Sequence, residues 1–545
     1  MFVAVREAHM QAPNLPPRIY SRDAHLHGSA RWADRAHLAK RHYGENGNMF
    51  LAYGLPEHIK ARSFDITTNT QKHLLTIAPT RGGKLLAASM PRCLEHLGSL
   101  VALDVKDGEL ALIAARYRRD VLGHKVVLID PWDLVSSRLG VTQARFNVLD
   151  WLDPKGDAVV EDAMLVADSL ITDKGGKDPF WSDEARALVM GLVMYVAATP
   201  LTLMPTEKKS RDLVQVRRLL NLSSIAFKKM VSGEFEEDEA GNISLVYAGM
   251  AQSRNEAVRA AAARIMGKAE KELSSVLSTA QQNTHFLESP KIQRSLSASD
   301  FSFDELEDGN TDIFIILPAG RLSNFNRFLR MLLSIAITAV TRFKTKPNPP
   351  VYFLLEEAAA LGRMEVIETA YGLMAGYGMQ LHMIVQDLNQ LASIYPDRWQ
   401  TFIANSGVIQ IFGTRDLMTA DYVSRLCGMT TIESLSHASA EIRAGLFTDP
   451  NYLSREDGLT SRSLITPDEI MTMHPATQIL ILPHAYPVAC FKSVYFLDSR
   501  YRDKKGKPIF DIHPDYAHLP LPRSVNFKRT GFDIGSALDK VFDGG

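Results

Sequence analysis

The sequence has few cysteines and no long apolar run. Only three cysteines occur among 545 residues, and no two of them form a CxxC pair. A structural zinc site is therefore not expected, and the low cysteine content fits a reducing compartment. The best candidate for a membrane span, MLLSIAITAV (331–340), falls well short of the roughly 18 apolar residues that a crossing needs. The N-terminus also lacks the apolar core of a secretory signal, so we expect a cytoplasmic protein.

A strong net charge and a metal-binding histidine pattern are also missing. The chain carries 61 Lys and Arg against 62 Asp and Glu, a formal net charge of −1. This total neither indicates nor excludes binding to nucleic acid, because local patches matter more than the sum. The histidines show no HExxH spacing. The length predicts two or more domains.

Short apolar runs alternate with helical segments in two parts of the chain, a pattern typical of a parallel α/β sheet. From Asp178 to about residue 288 the periodicity is helical, which predicts an inserted all-helical domain. Within it, the acidic GEFEEDEAGN (233–242) is expected to be a solvated loop. The predicted strands lie in LLTI (74–77), SLVALDVKDGEL (99–110), HKVVLIDP (124–131), TDIFIILP (311–318), PVYFLLEE (350–357), MQLHMIVQ (379–386), GVIQIFGT (407–414), TQILILP (477–483) and ACFKSVYFLD (489–498).

Residues 74–90, LLTIAPTRGGKLLAASM, have the order strand, glycine-containing loop, helix. Such a loop wraps backbone N–H groups around nucleotide phosphates at a helix N-terminus, and its lysine reaches the β- and γ-phosphates. The pattern G-x-x-x-x-G-K-[ST] is broken twice, by Ala78 at the first glycine and by Leu85 at the metal-binding hydroxyl. The alternative is an ordinary glycine-rich turn between strand and helix. The predicted cofactor-binding residues are Thr80, Arg81, Gly82, Gly83, Lys84 and Leu85.

Two adjacent carboxylates, Glu356 and Glu357, end the apolar run of PVYFLLEE. Sheets of α/β proteins place their ligands at the carboxyl ends of strands. We expect Glu356 to lie near Mg²⁺ and Glu357 to polarise the attacking water. The alternative is a helix N-terminus, which favours acidic residues in its first turn. A phosphate loop and an acid-tipped strand in one chain together predict binding of a nucleotide.

Two further polar residues follow predicted strands. Gln386 ends the run 379–386, where an amide could sense the γ-phosphate or position water, or simply cap a helix. Arg415 follows the run 407–414 and could reach into the site of a neighbouring subunit, or pair with Asp416 at the surface. We therefore predict Glu357, Gln386 and Arg415 as catalytic residues, with both alternatives open.

These segments together resemble the TraG/TraD-type coupling ATPases of conjugation and type IV secretion, over nearly the whole chain. LHGSARWA (26–33) resembles the segment that follows the family's membrane anchor, APTRGGK its phosphate loop and VALDVKDGEL its D-x-K-G-E strand. PFWSDEARALVMGLVMYV resembles the start of its all-alpha domain, and the segment from FLLEEAAALGR to VQDLNQL its acidic and glutamine motifs. LMTADYVSRLCGMTT and LITPDEIMTMHP complete the series. Glu356 replaces the family's usual aspartate, so with Leu85 both protein-side contacts to Mg²⁺ are altered.

The resemblance implies a RecA-like P-loop NTPase core with a parallel-rich central sheet, an inserted all-alpha domain that receives substrate, and assembly into a homo-hexamer. It implies a motor that uses ATP to bring a relaxase–single-stranded DNA complex or protein effectors to a type IV secretion channel. Two other functions stay open. One is a nucleotide-binding substrate receptor with little or no turnover, which Leu85 favours. The other is a DNA pump of the FtsK/HerA type, against which HGSARWA and the inserted domain argue.

The resemblance also bears on the predicted domain boundaries and on the predicted location in the cell. Family members usually begin with transmembrane helices, and this chain is expected to start where those would end. Association with the bacterial inner membrane would then be peripheral, through partners or a missing anchor. The predicted division is an N-terminal segment at 1–50, a nucleotide-binding domain at 51–177 and 291–500, the all-alpha domain at 178–290, and a C-terminal tail at 501–545.

Overall fold

The computed structural model describes residues 27–55, 63–172, 179–206, 208–237, 243–435 and 457–511. Within these ranges the strands are β1 Met49–Gly54, β2 Phe64–Thr68, β3 His73–Ile77, β4 Leu100–Asp104, β5 Lys125–Ile129, β6 Glu234–Glu237, β7 Ile243–Tyr247, β8 Thr311–Ile316, β9 Val351–Leu355, β10 Met379–Val385, β11 Ser406–Ile411, β12 Met429–Leu435, β13 Asp457–Ser463, β14 Thr477–Ile481 and β15 Val488–Phe491.

The helices of the same ranges are α1 Arg35–Lys40, α2 Met90–Glu95, α3 Glu109–Asp120, α4 Ser136–Leu139, α5 Val148–Trp151, α6 Val159–Leu170, α7 Phe180–Ala198, α8 Leu213–Leu220, α9 Ser224–Ser232, α10 Glu256–Met266, α11 Glu270–Thr284, α12 Pro290–Ser295, α13 Leu322–Thr341, α14 Glu365–Leu373, α15 Leu388–Ile394, α16 Trp399–Asn405, α17 Leu417–Cys427 and α18 Pro467–Met471. The chain divides into two compact units, a first unit formed by residues 1–95 and 380–545 and a second unit formed by residues 96–379.

The sheet of the first unit has the strand order β2-β1-β15-β14-β11-β3-β10. Strand β3 pairs in parallel with both β10 and β11, whereas the pairs from β11 to β2 are antiparallel. Every residue of β3, β10 and β11 is buried. Parallel strands covered on both faces read as continuous apolar runs rather than as alternating ones, which is the pattern that predicted all three.

A polar network crosses this buried sheet. The Thr76 hydroxyl lies 2.7 Å from His382 Nε2 and donates to Gln410 Oε1 at 3.0 Å, joining β3 to β10 and β11. Burial lowers the pKa of His382 to about 3, so its ring is neutral at physiological pH. Buried polar groups are costly unless they are hydrogen-bonded, and these three satisfy one another only in the observed register.

The sheet of the second unit has the order β9-β4-β8-β5, and every pair in it is parallel. Helix α3 is fastened to this sheet by Arg118, whose guanidinium binds both carboxylate oxygens of Asp312 on β8, at 2.6 and 2.8 Å. Both side chains are fully buried. Such a bidentate pair fixes orientation as well as distance, and a buried charge is tolerated when it is paired in this way.

The second unit also contains a helical part. Helix α7 packs against α6, α8, α10 and α11, and its residues from Leu192 to Ala197 are all buried. One expectation for this part is wrong: Glu234–Glu237 of the segment predicted as a solvated loop form β6, which pairs antiparallel with β7. The stretch therefore contains a two-stranded sheet as well as helices.

The first unit contains strands that the sequence reading did not predict. Strands β1 and β2 extend the sheet beyond β15, and β12 pairs antiparallel with β13. The segment after His27 runs along β12, with an isolated bridge from Ser29 to Thr430. Strand β15 ends at Phe491, earlier than predicted. Most of the predicted tail, from residue 512 onward, lies outside the described residues. None of the helices in the described ranges combines the length and apolar character needed to span a bilayer.

The buried His382 predicts a pH dependence of stability. The unfolded chain binds a proton at this ring near the ordinary pKa of 6.5, but the folded chain does so only near 3. The free energy of unfolding should therefore fall as pH drops from 6.5 towards 3, by about 1.4 kcal/mol per pH unit from this residue. In denaturant titrations between pH 6 and pH 4, His382→Asn should show a shallower slope than wild type. The exposed His27→Asn is the control, and equal slopes in all three proteins would contradict the assignment.

Candidate nucleotide-binding site

The loop that follows β3 has the backbone shape of an anion-binding turn. Ala78 is buried and donates its N–H to Val385 O at 2.9 Å, and Gly82 donates to Pro79 O at 2.9 Å. Arg81 and Gly83 have positive φ angles of 62° and 83°. Successive N–H groups in such left-handed turns form concave nests for anions. Ala78 is not among the residues with a positive φ, so this backbone position does not require a glycine.

Lys84 lies at the start of the helix that follows the loop. Its backbone is helical, with φ −57° and ψ −44°, and its side chain is buried. The next residues, Leu85–Ser89, form a π-helical segment that continues into α2. Single π-helical turns inside α-helices are rare and frequently occur at functional sites. Leu85 is half-buried at the position where the standard motif has a hydroxyl.

Gln386 contacts this loop directly. Because Val385 of β10 is in register with Ile77 of β3, the residues after both strands meet at one edge of the sheet. There the Thr80 hydroxyl donates to Gln386 Oε1 at 3.2 Å, and the Gln386 N–H donates to Gln390 Oε1 at 3.1 Å. Helix α15 is capped by Asp387, whose carboxylate accepts from the Gln390 N–H. The helix cap is therefore Asp387 and not Gln386.

A residue absent from the sequence predictions also contacts the loop. Lys492, just after β15, donates from Nζ to Gly82 O at 3.0 Å. The side chain is fully buried, with Nζ 4.3 Å from the centre of the Phe412 ring. Burial lowers the pKa of Lys492 to about 7. No local sequence signal identifies this contact, which joins positions 410 residues apart.

Arg415 is exposed, four residues beyond β11 and next to the start of α17. The neighbouring Asp416 caps α17 by accepting from the N–H and hydroxyl of Thr419, and it also accepts from Asn389. Within the described part of the chain, no ion pair joins Arg415 to Asp416. A role for Arg415 in a neighbouring subunit stays a prediction.

In the second unit, Glu356 and Glu357 directly follow β9. Glu356 is 1% exposed, whereas Glu357 is partly exposed and has a left-handed backbone with φ 52°. A non-glycine residue in this conformation costs on the order of 1–3 kcal/mol, and such outliers cluster at functional sites. Lys106 Nζ lies 3.6 Å from Glu357 Oε1. This lysine belongs to the D-x-K-G-E segment, to which the sequence reading assigned no role.

Asp104 of the same segment lies beside Glu356. It ends β4, whose Leu103 is in register with Leu355 of β9. Its Oδ2 accepts from the Ala111 N–H at 2.9 Å, while Oδ1 accepts no hydrogen bond from any described residue. Burial raises the pKa of Asp104 well above its ordinary value, and the charges of Glu356 and Glu109 raise it further.

This pair of buried carboxylates suits a hard cation such as Mg²⁺, which takes oxygen ligands and is usually bound by one or two carboxylates with substrate phosphates and water. Among the described residues, no cluster of three or more His, Cys, Asp or Glu side chains could hold a metal ion alone. The two carboxylates are thus of the kind that holds Mg²⁺ together with phosphate oxygens and water.

Comparison with known proteins gives a consistent result. A family model described as "Type IV secretory system Conjugative DNA transfer" matches residues 31–514. The conjugal transfer protein TraG of Agrobacterium fabrum is 29% identical over 431 residues, covering 78% of this chain and 60% of TraG. The coupling protein VirD4 of Bartonella quintana is 25% identical, covering 78% of this chain and 63% of VirD4. The chain thus spans about 60% of the length of these relatives.

The fold is that of a solved coupling protein. The unbound structure of the bacterial conjugative coupling protein TrwBdeltaN70 matches with a TM-score of 0.59 at 14% identity, covering 88% of this chain and 95% of that one. A structure of TrwB with ADP and Mg²⁺ matches with a TM-score of 0.56. The predicted fold class, an α/β RecA-like P-loop NTPase core with a helical domain, is confirmed.

The turn at Gly82 generates a prediction about ligand binding. A Cβ atom at this position would lie 2.9 Å from Pro79 O, so Gly82→Ala must displace the loop backbone. We expect at least a tenfold loss of affinity for ATP, measured by titration with a fluorescent nucleotide, with little change in melting temperature. Gly372→Ala is the control, since a Cβ there meets nothing within 4 Å. An unchanged affinity in Gly82→Ala would show that the loop does not bind nucleotide.

Proposed function

The chain belongs to the family of type IV secretory system proteins of conjugative DNA transfer, and from this membership we propose that it is a coupling ATPase that drives cargo into a type IV secretion channel. The observation that carries the proposal is the loop at 78–84, with its two left-handed residues and Lys84 at the start of a helix. TrwB, which shares the fold, has been solved with an ATP analogue and with ADP and Mg²⁺.

The loop residues bind the nucleotide in this proposal. The loop Thr80, Arg81, Gly82 and Gly83 surrounds the phosphates. Its backbone N–H groups that are not used inside the turn donate to them, and the Lys84 ammonium neutralises their charge. Gln386 is held to the loop through Thr80, so it can respond to the presence of the γ-phosphate. Arg415, exposed beyond β11, acts on the nucleotide of the adjacent subunit in a ring.

The carboxylates of the second unit carry the hydrolytic step. Glu357 orients and polarises the water that attacks the γ-phosphate, and Lys106 holds its carboxylate in place. Glu356, with Asp104 beside it, would hold Mg²⁺. When bound, Mg²⁺ neutralises phosphate charge that develops during transfer. Glu356 has one more methylene than the usual aspartate and keeps the carboxylate function.

The names of the relatives support a proposal for cargo and assembly. TraG is named for conjugal transfer and VirD4 as a type IV secretion system coupling protein. We propose that the helical domain at 178–290 receives a relaxase–single-stranded DNA complex or a protein effector, and that the chain assembles into a homo-hexamer beside the channel components at the inner membrane. A ring that moves DNA of any sequence binds phosphates, so its DNA affinity should fall with salt.

The second candidate function is a substrate receptor that binds nucleotide and turns it over slowly or not at all. The observation that favours it is Leu85, which is half-buried where the standard loop supplies a hydroxyl ligand to Mg²⁺. In this case ATP would stabilise assembly and cargo docking without driving transport.

The ATPase proposal is tested by removing the groups that bind phosphate and activate water. Lys84→Ala should abolish nucleotide binding, and Glu357→Gln should retain binding but lower kcat by a factor of about 10² to 10⁴. The measurement is steady-state ATP hydrolysis with Mg²⁺, with and without single-stranded DNA. Lys125→Ala is the control, because its side chain is exposed and lies outside the site. DNA-stimulated hydrolysis that survives in Lys84→Ala would overturn the assignment.

Leu85→Thr separates the two candidate functions. Threonine restores the hydroxyl at a position where the leucine side chain is already half-exposed. If the protein is a slow or silent ATPase because this ligand is missing, Leu85→Thr should raise kcat at least tenfold and lower the Mg²⁺ concentration required for half-maximal rate. If wild type already hydrolyses ATP efficiently and the substitution has no effect, the receptor function is excluded.

A further inference from the structure

Lys492 lies at the phosphate loop without belonging to its sequence motif. The residue is 1% exposed, and its backbone N–H is fixed by a hydrogen bond to Ala476 O at 2.8 Å. Its Nζ donates to Gly82 O at 3.0 Å and lies 4.3 Å from the centre of the Phe412 ring. The lysine therefore approaches the loop from the buried sheet, whereas the loop's own Lys84 comes from the following helix.

Burying a charged lysine costs free energy of desolvation, which its contacts must offset. Burial lowers the pKa of Lys492 to about 7. Both protonation states keep an N–H that can donate to the Gly82 carbonyl. The Phe412 face adds a favourable interaction with the charged form. Lys492 can therefore keep its hydrogen bond to the loop in both protonation states.

The consequence for the loop follows from the planarity of the peptide bond. The Gly82 carbonyl and the Gly83 N–H belong to one trans peptide group, in which C=O and N–H point in opposite directions. Holding the carbonyl towards the buried sheet therefore turns the Gly83 N–H away from it. Within the described residues, the Gly83 N–H donates no hydrogen bond. With the left-handed turns at Arg81 and Gly83, this leaves a donor prepared for an external anion.

We propose that Lys492 is a positioning residue that holds the Gly82–Gly83 peptide in the orientation that binds a nucleotide phosphate. The inference deepens the proposed function and rests on it, because it assigns the phosphate contact to the Gly83 N–H. It also explains how the loop keeps its shape without the first glycine of the standard motif: a residue that follows β15, in the same sheet as β3, holds the orientation of the peptide.

The test compares Lys492 variants in the full chain. Lys492→Met keeps the aliphatic length and removes the donor, and should weaken ADP binding about tenfold, with KM for ATP raised more than kcat is lowered. Lys492→Arg keeps a donor and should restore binding to within about threefold of wild type. Lys507→Met is the matched control, since Lys507 is an exposed lysine of the same C-terminal segment. A folded Lys492→Met protein that binds ADP like wild type would overturn the proposal.

A second measurement needs no variant at Lys492. Hydrogen exchange at the Gly83 amide of the wild-type protein should slow at least tenfold when saturating ADP is added. An unchanged exchange rate in the presence of bound ADP would refute the role of this N–H, even if Lys492→Met failed to fold. Lys84→Ala separates this failure from failure of the proposed function. If ADP binding persists in Lys84→Ala, the nucleotide site itself is misassigned, whereas its loss there together with wild-type behaviour of Lys492→Met rejects only the present inference.

Discussion

The register of β3 between β10 and β11 is the constraint on which the chemistry of the first unit depends. Ile77 lies opposite both Val385 and Ile411, so three strands end together. The phosphate loop, Gln386 and the segment leading to Arg415 all leave the sheet at that edge. A slip of one residue would reverse the face of every side chain and separate the partners of the Thr76 network. The buried polar triad thus specifies the alignment, and apolar burial stabilises it.

In the second unit, strand register likewise determines which charged residues become neighbours. Parallel pairing of β4 with β9 aligns Leu103 with Leu355, which makes neighbours of two segments more than 200 positions apart in the chain. Asp104 then adjoins Glu356, and Lys106 pairs with Glu357. The D-x-K-G-E segment and the acidic segment therefore place their charged side chains next to each other. In one pair, two buried carboxylates lie side by side and the charge of Glu356 raises the pKa of Asp104, whereas in the other pair a carboxylate is matched by a lysine.

What the sequence could predict depended on whether the signal was local. Continuous apolar runs predicted the buried parallel strands, and the loop, Lys84 and the two glutamates lie directly beyond such runs. The pairing of β6 with β7 was missed because its acidic strand has the composition of a loop. Strand β1 was also not predicted, although MFLAYG is a continuous apolar run, and β2 is the short mixed segment FDITT. Lys492 could not be found, because its role comes from an antiparallel strand whose place in the sheet is fixed only by tertiary structure. The catalytic roles of the predicted residues stay predictions.

Leu85 and Glu356 both stand at positions where related proteins have a different residue, and both positions affect how the protein can bind Mg²⁺. Mg²⁺ beside a nucleotide needs oxygen ligands, and Leu85 offers none at the position where the standard loop has a hydroxyl. In the proposed function, the carboxylates would supply the protein's ligands to the cation. Asp104 and Glu356 are adjacent and buried, and one Asp104 oxygen accepts no hydrogen bond from the described residues. Two such groups are unfavourable without a cation or a proton between them. Under the proposed function, a cation bound by these carboxylates would relieve their repulsion, so a leucine at 85 is compatible with metal-dependent chemistry that relies on the acidic strand.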